Sequence, residues 1–227
     1  SDRRQRQMCI RDRYCGLLAY RIARRRRHIT ETNIRLCFPE LNKKEQADLV
    51  RETFIQNGIG FFEIAWSWWA SSEDVANRFT IEGLEHLNAA KTDGKGVIIV
   101  GAHFVHLDLC GKMMGLVEPL CPIYRKNNDP IFEYFITSGR QRIFKAVLER
   151  SNMRKIVKHL RAGDIVWYSP DQDFGRQQAV FAPFFGVNAA TLTTTSRLAE
   201  MGKANVVGGF HYRCLLYTSP SPRDVHL

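Results

Sequence analysis

The sequence lacks the signatures of several common enzyme classes. No G-x-G-x-x-G follows a predicted strand and no P-loop is present, so hydride transfer and nucleotide hydrolysis have no support. No G-x-S-x-G segment is present, so serine-esterase chemistry has none either. The six cysteines include no C-x-x-C pair, and we interpret them as reduced thiols in a protein that faces the cytosol.

Long apolar runs are also absent, whereas positive charge is in excess. No segment approaches the roughly 20 apolar residues that span a bilayer, and no signal peptide is visible. The net formal charge of +10 in 227 residues indicates an anionic partner, such as nucleic acid, a membrane surface or a phosphorylated substrate. The hydrophobic content of 44% is that of an ordinary globular protein, so a sizeable core is expected.

The two ends differ in character from the rest of the chain. Residues 1–13 show no periodicity and no apolar face, and residues 214–227 contain a Ser/Pro run. Both resemble translated adaptor sequence, with genuine disordered tails as the alternative. We therefore expect one domain at 14–213, truncated at both ends and flanked by non-native segments. Residues 1–13 carry +3 of the +10 and residues 214–227 carry none, which leaves +7 on the domain.

The pattern within the domain changes near residue 79. Residues 14–78 are predicted to be helical and membrane-proximal, whereas residues 79–213 alternate between strands and helices. Strands are predicted at 79–82, 97–100, 121–124, 145–148, 165–168 and 204–210, with helices at 84–91, 107–114, 130–140, 151–163 and 191–201. This alternation predicts an α/β fold with a mostly parallel central sheet flanked by helices and preceded by an N-terminal helical segment.

The helical segment contains two unusual stretches. A basic stretch at 14–36 includes Arg24–Arg27, and a longer helix begins at Asn42, where Glu45 predicts a capping box. That helix ends near residue 70 in an aromatic run with three tryptophans, which fits a core helix or one at a bilayer surface or an acyl pocket.

The strongest candidate site follows the strand at 97–100. His103 is placed at the carboxyl end of that strand, where open α/β sheets bind ligands, and Asp108 lies in the next helix. A carboxylate there can bond one imidazole nitrogen and leave the other free to accept a proton, so the pair predicts a general base. The alternative is a core histidine beside an aspartate that complements the helix dipole. His106 adds a possible zinc ligand. However, the spacing H-x-x-H-x-D matches neither H-x-H-x-D-H nor H-E-x-x-H, and we predict no metal.

Basic residues follow a second predicted strand. Arg125 and Lys126 come directly after the strand at 121–124, and Arg140 ends the next helix. Guanidinium groups there suit recognition of phosphate or carboxylate, and a solvated basic face is the alternative.

A third strand end leads into Ser-Pro-Asp-Gln-Asp-Phe-Gly-Arg at 169–176. Asp171 and Asp173 form a D-x-D pair that could hold a divalent cation and a nucleotide sugar, as in many glycosyltransferases. A turn rich in Asp and Gly would explain the same composition.

Four segments in order carry a family resemblance: RRRRHITETNIRLCFPEL, GAHFVHLD, YRKNNDPIFEYFITSGRQR and IVWYSPDQDFGRQQAVFAPFFGVNAATLTTTSRLAEMGKANVV. Together they resemble the late acyltransferases of lipid A biosynthesis, the lauroyl and myristoyl transferases of Gram-negative bacteria, within the glycerol-phosphate acyltransferase superfamily. The likeness covers residues 14–213 and includes the H-x-x-x-x-[DE] motif. It implies a glycerol-phosphate-acyltransferase-like fold at the cytoplasmic face of the bacterial inner membrane, usually with an N-terminal anchor and a longer C-terminus.

The resemblance also implies a reaction and a set of roles. An acyl chain moves from an acyl-carrier-protein or coenzyme A thioester to a hydroxyl of a phosphorylated glycolipid, the lipid A precursor. His103 is then the general base, and Asp108 fixes its tautomer. Substrate-binding positions follow at Arg125, Arg140, Asp171 and Arg176, with Asp171 organising the cations. The family implies no cofactor, no metal and no nucleic-acid partner.

Two alternatives remain open at this point. One is a metal-dependent glycosyltransferase that uses Asp171 and Asp173. The other is a non-catalytic basic module whose Arg24–Arg27 bind an anionic membrane surface.

Overall fold

The computed structural model describes residues 2–172, 175 and 179–213, with side chains from residue 11 onward. Three helices form its first part, α1 (Asp2–Ile22), α2 (Arg24–Cys37) and α3 (Lys43–Trp69). The basic stretch at 14–36 is helical as predicted, but it is divided at Ala23 into two helices, and the first of them extends back to Asp2. Residues 214–227 lie outside the described residues.

Helices α1 and α3 pack through their backbones. A Cβ on Gly16 would fall within 3 Å of the backbone of Phe54, and one on Gly58 within 3 Å of Gly16. Asp12 is buried at the same contact. Small residues therefore let the backbones of the two helices approach closely.

Helix α3 begins with the predicted capping box. Asn42 Oδ1 accepts the backbone N–H groups of Lys44 at 2.9 Å and Glu45 at 3.1 Å. Glu45 Oε2 accepts the backbone N–H of Asn42 at 2.8 Å. The helix runs to Trp69, as expected, and a short helix that was not predicted, α4 (Ser72–Ala76), follows it.

The second part is the predicted α/β fold with a parallel sheet. Its strands are β1 (Val97–Val100), β2 (Leu120–Tyr124), β3 (Leu148–Glu149), β4 (Ile165–Tyr168) and β7 (Asn205–Gly208), and its helices are α5 (Leu84–Ala90), α6 (Leu107–Gly115), α7 (Pro130–Gln141), α8 (Met153–Arg161) and α9 (Thr194–Gly202). The strand order is β3-β2-β4-β1-β7, with every pair parallel. All five strands therefore end at one edge, called the carboxyl edge below.

Alternate residues of the central strands point to the two faces of the sheet, where they enter different apolar clusters. Val97 and Ile99 of β1 lie in one cluster with Trp167. Ile98 lies in the other with Leu160 of α8 and Leu198 of α9. Helices thus cover both faces, which explains why the strands are apolar throughout.

Several predicted elements differ from the structure. The predicted strand at 79–82 is wrong, because those residues pair with no strand among the described residues. The strand at 145–148 is reduced to Leu148–Glu149, and α8 is capped by Asn152.

The chain between β4 and α9 contains an antiparallel hairpin of β5 (Ala179–Phe184) and β6 (Val187–Leu192), which was not predicted. Its turn residues Phe185 and Gly186 both have positive φ, the geometry of a tight two-residue hairpin. Phe-Gly is a weak signal for such a turn. Among the described helices, none combines the length and hydropathy of a bilayer-crossing segment.

Candidate active site

The candidate site is built where β1 and β4 end side by side. Val100 is the register partner of Tyr168, and His103 and Asp171 each lie three residues farther along. The His103 Nδ1 atom lies 2.5 Å from Asp171 Oδ1. The backbone N–H of His103 donates to Asp171 Oδ2 at 2.7 Å. One carboxylate therefore holds both the imidazole and the loop that carries it.

This contact fixes the proton on the imidazole. Burial would raise the pKa of Asp171, but hydrogen bonds from the backbone and ring of His103 outweigh it, so this pKa lies below its ordinary value. An ionised carboxylate can only accept, so Nδ1 carries the proton and Nε2 of the neutral ring keeps its lone pair. The side chains of His103 and Asp171 are 40% and 37% exposed, so a substrate can reach them.

Asp108 contacts Arg140 rather than His103. Arg140 Nε and Nη2 donate to the two oxygens of Asp108 at 2.8 and 3.1 Å. The two side chains are only 20% and 12% exposed, and they join the last turn of α7 to the first turn of α6. The predicted bond from Asp108 to His103 is therefore wrong: the guanidinium fork occupies both oxygens of Asp108, and the strand register brings Asp171 to the imidazole.

The aromatic end of α3 supports this region from behind. A Cβ on Gly139 would lie 2.7 Å from Cγ of Trp68, so the indole packs directly on α7 next to Arg140. Trp69, by contrast, is exposed. Within the tryptophan run, Trp68 is therefore a packing residue and Trp69 a surface residue.

Two further histidines, His106 and His211, form a pair beside the site. His211 is three residues beyond Gly208, the β7 register partner of Val100, so it is the third member of the row begun by His103 and Asp171. Its ring centroid lies 4.6 Å from that of His106. None of the four ring nitrogens, all buried, has a hydrogen-bond partner among the described residues.

Burial keeps this pair neutral. Burial, followed by the neighbouring His106, lowers the pKa of His211 to about 4. Burial, followed by the positive charge of Arg213, lowers the pKa of His106. The sequence reasoning considered His106 as a metal ligand and missed His211, although the register of β7 would have identified its position.

The remaining predicted residues lie in different surroundings. Arg125 is exposed directly after β2, and the part of the chain that the structure describes shows no ion pair for it. Asp173 and Arg176 lie outside the described residues, so the D-x-D pair is described only at Asp171.

A separate cluster lies at the opposite, amino edge of the sheet. Asp164 accepts from Lys145 Nζ at 2.6 Å and lies 2.6 Å from His159 Nδ1, and Cys121 Sγ lies 3.9 Å from that same nitrogen. Cys121, His159 and Asp164 have metal-ligand chemistry. However, Lys145 already supplies a positive charge, and burial raises the pKa of Cys121 to about 11. These groups satisfy one another and lie far along the strands from His103.

Comparison with known proteins adds the family. The sequence model of a family described as bacterial lipid A biosynthesis acyltransferase matches residues 8–218. The chain is 37% identical over 198 residues to the lipid A biosynthesis palmitoleoyltransferase of Escherichia coli (strain K12), covering 87% of the chain and 65% of that protein. It is 37% identical over 196 residues to the lauroyltransferase of the same strain, covering 85% and 64%.

A more distant relative is the E. coli lipid A biosynthesis myristoyltransferase, 26% identical over 194 residues, covering 85% of the chain and 60% of that protein. The chain thus spans about 65% of the length of the first two relatives.

Proposed function

Because the chain belongs to the bacterial lipid A biosynthesis acyltransferase family, we propose that it transfers a fatty acyl chain from a thioester to a hydroxyl of a lipid A precursor. The observation that carries the proposal is the contact of His103 with Asp171 at the carboxyl edge of the sheet. It leaves one imidazole nitrogen available to a substrate and holds the other by a carboxylate. The donor is an acyl-carrier protein or coenzyme A, and the acceptor is a phosphorylated glycolipid.

The acyl transfer requires one general base and forms no covalent intermediate with the enzyme. Nε2 of His103 accepts the proton of the acceptor hydroxyl while the oxygen attacks the thioester carbonyl carbon. The C–S bond then breaks, and the imidazolium returns its proton to the departing thiolate. Asp171 stabilises the imidazolium between these steps. The products are an ester and a free thiol, so protons and electrons balance.

Cations near the site supply recognition of anionic groups. Arg140 is oriented by Asp108, and Arg125 extends from the end of β2 into solvent. Arg125 follows β2 at the carboxyl edge, and Asp108 in the first turn of α6 holds Arg140 near that edge. Guanidinium groups bind phosphate well, which supports a phosphorylated acceptor or donor and a substrate-binding role for Arg125 and Arg140; Arg176 has that role from the family resemblance alone.

Exposed apolar and basic side chains support the proposal that the protein binds a lipid surface. Ile131, Phe132 and Phe135 of α7 are exposed, as are Phe181 and Phe184 of the hairpin. The hairpin tip also contacts the N-terminal helices, since the ring centroids of Phe185 and Phe38 lie 5.2 Å apart.

Phe38 directly follows α2, whose arginines 24–26 are exposed. These arginines begin α2 and Phe38 follows its end, so the segment carries exposed positive charge together with an aromatic contact, a combination that suits an anionic membrane surface. We therefore assign the protein to the cytoplasmic face of the bacterial inner membrane.

The test is transfer of a radiolabelled acyl chain to a purified lipid A precursor, with acyl-carrier protein and coenzyme A as separate donors. His103→Ala should lower the rate by about 10²–10⁴ while the unfolding midpoint stays the same. His86→Ala is the matched control, since its imidazole is 77% exposed. An unchanged rate in His103→Ala contradicts the general-base role. Inhibition by a chelator, reversed by manganese, would instead favour the glycosyltransferase interpretation.

A further inference from the structure

The outer surface of helix α8, next to the end of α9, carries a groove away from the catalytic residues. It is open to solvent, has a volume of about 660 Å³, and is lined by apolar and cationic side chains of α8 together with Ala162 and Met201. We infer that this groove is the docking surface for an acidic carrier protein that delivers the acyl chain. The inference rests on the proposed function, because it names the donor of that same reaction.

The composition of the groove favours a protein helix as its occupant. Met153, Val157, Ala162 and Met201 line it and offer a flexible apolar surface. Methionine adapts to the shape of a partner, so methionine-lined grooves suit amphipathic helices.

Arg161 Nε donates to the carbonyl of Met201 at 2.9 Å. This bond fixes α9 against α8, so the groove is formed before any partner arrives.

The charges of the groove all have one sign. Arg154, Lys158 and Arg161 line it, Lys155 lies beside it, and α8 contains no acidic residue. Among the described residues, Arg154 and Lys158 form no ion pair with any carboxylate. Arg154 and Lys158 lie four residues apart on α8, and like charges at that spacing repel one another. The uncharged residues of the groove do not offset this repulsion. A partner with carboxylates flanking an apolar stripe would relieve the repulsion and gain burial.

The position of the groove connects it to the site. Helix α8 starts at Met153, four residues after β3 ends, and β3 ends at the carboxyl edge. Helix α9 starts at Thr194, whose side chain bonds Tyr168 at the end of β4. Both helices therefore begin at the edge that holds His103. A carrier lying along them can direct its thioester arm over that edge.

A membrane is the less favoured occupant of this groove. Interfacial surfaces are rich in tryptophan and phenylalanine on convex elements, whereas this surface is concave and has no aromatic lining residue. The exposed phenylalanines belong to α7 and the hairpin instead.

The experiment compares two charge-reversed proteins. Arg154→Glu with Lys158→Glu alters the groove, and Lys43→Glu with Lys44→Glu alters net charge equally at the exposed start of α3. Binding of holo-acyl-carrier protein is measured by fluorescence anisotropy, and KM is measured for acyl-carrier-protein and coenzyme A thioesters. The groove variant should weaken carrier binding and raise the carrier KM by about tenfold or more, with coenzyme A kinetics unchanged. The control should change each value by less than about twofold.

The outcomes separate this inference from the proposed function. If the parent protein transfers an acyl chain from neither donor, the proposed function is refuted, while the carrier-binding assay still tests the docking inference. Equal loss in both variants, or none in the groove variant, overturns the docking inference. Loss of anionic-vesicle binding by the groove variant, with carrier binding intact, also overturns it and assigns the groove to the membrane.

Discussion

Asp171→Asn is the substitution that most sharply separates the two possible partners of His103. The carboxylate lies 2.5 Å from Nδ1 and 2.7 Å from the backbone nitrogen of His103. An asparagine can keep the backbone contact through its carbonyl oxygen. Its amide nitrogen then faces Nδ1 as a donor, which moves the imidazole proton to Nε2 and removes the base. We expect the rate of acyl transfer to fall by about 10²–10⁴, within the range that a general base contributes.

The stability of the same variant should change little. Both side chains are more than a third exposed, and ion pairs at such positions contribute only about 0–1 kcal/mol. The two measurements are therefore the initial rate with acyl-carrier-protein donor and the urea unfolding midpoint. Asp129→Asn is a matched control, because Asp129 caps α7 by accepting backbone N–H groups, which an amide oxygen also accepts. A rate for Asp171→Asn within about threefold of the parent would refute the reasoning.

Two further predictions concern stability. Asp108→Asn should destabilise the protein by about 2 kcal/mol in urea unfolding, because it leaves the partly buried guanidinium of Arg140 without its partner. The double variant Asp108→Asn with Arg140→Gln should recover part of that loss. An unchanged unfolding midpoint in Asp108→Asn would contradict this prediction. The free energy of unfolding should fall by up to about 2 kcal/mol between pH 7 and pH 4.5 on account of His211. Its folded pKa is about 4, below the unfolded value, so the unfolded chain takes up a proton first and stability is lost as the pH falls. His211→Phe should flatten the curve, and equal slopes for both proteins would exclude this source.

The fold was predictable where local patterns decide it. The four-residue apolar runs at 97–100 and 165–168 are strands with those bounds, and the Asn42 capping box starts α3 as expected. The part of α1 after residue 13 was predicted to be helical, whereas its start at Asp2 was not, because residues 1–13 show no hydrophobic periodicity. The β5–β6 hairpin was missed because its strands are apolar on exposed faces and its Phe-Gly turn is uncommon.

The positions of the candidate residues in the fold were predictable, whereas their pairing was not. His103, Asp108, Arg140 and Asp171 all lie at the carboxyl edge or in the helices beside it, as their positions after strands and helices indicated. Which carboxylate meets the imidazole depends on strand order, and β4 is inserted between β1 and β2 by tertiary packing. Once that order is known, equal offsets of three residues bring Asp171 and His103 together.

Nitrogen NMR of the His103 ring tests the central claim most directly, because it reports the proton and its partner without any substrate. At neutral pH the neutral ring should carry its proton on Nδ1, with Nε2 bare. Asp171→Asn should reverse that tautomer, whereas Asp108→Asn should leave it unchanged. A ring already protonated at Nε2 when neutral, or one that responds to Asp108→Asn and not to Asp171→Asn, would contradict the account.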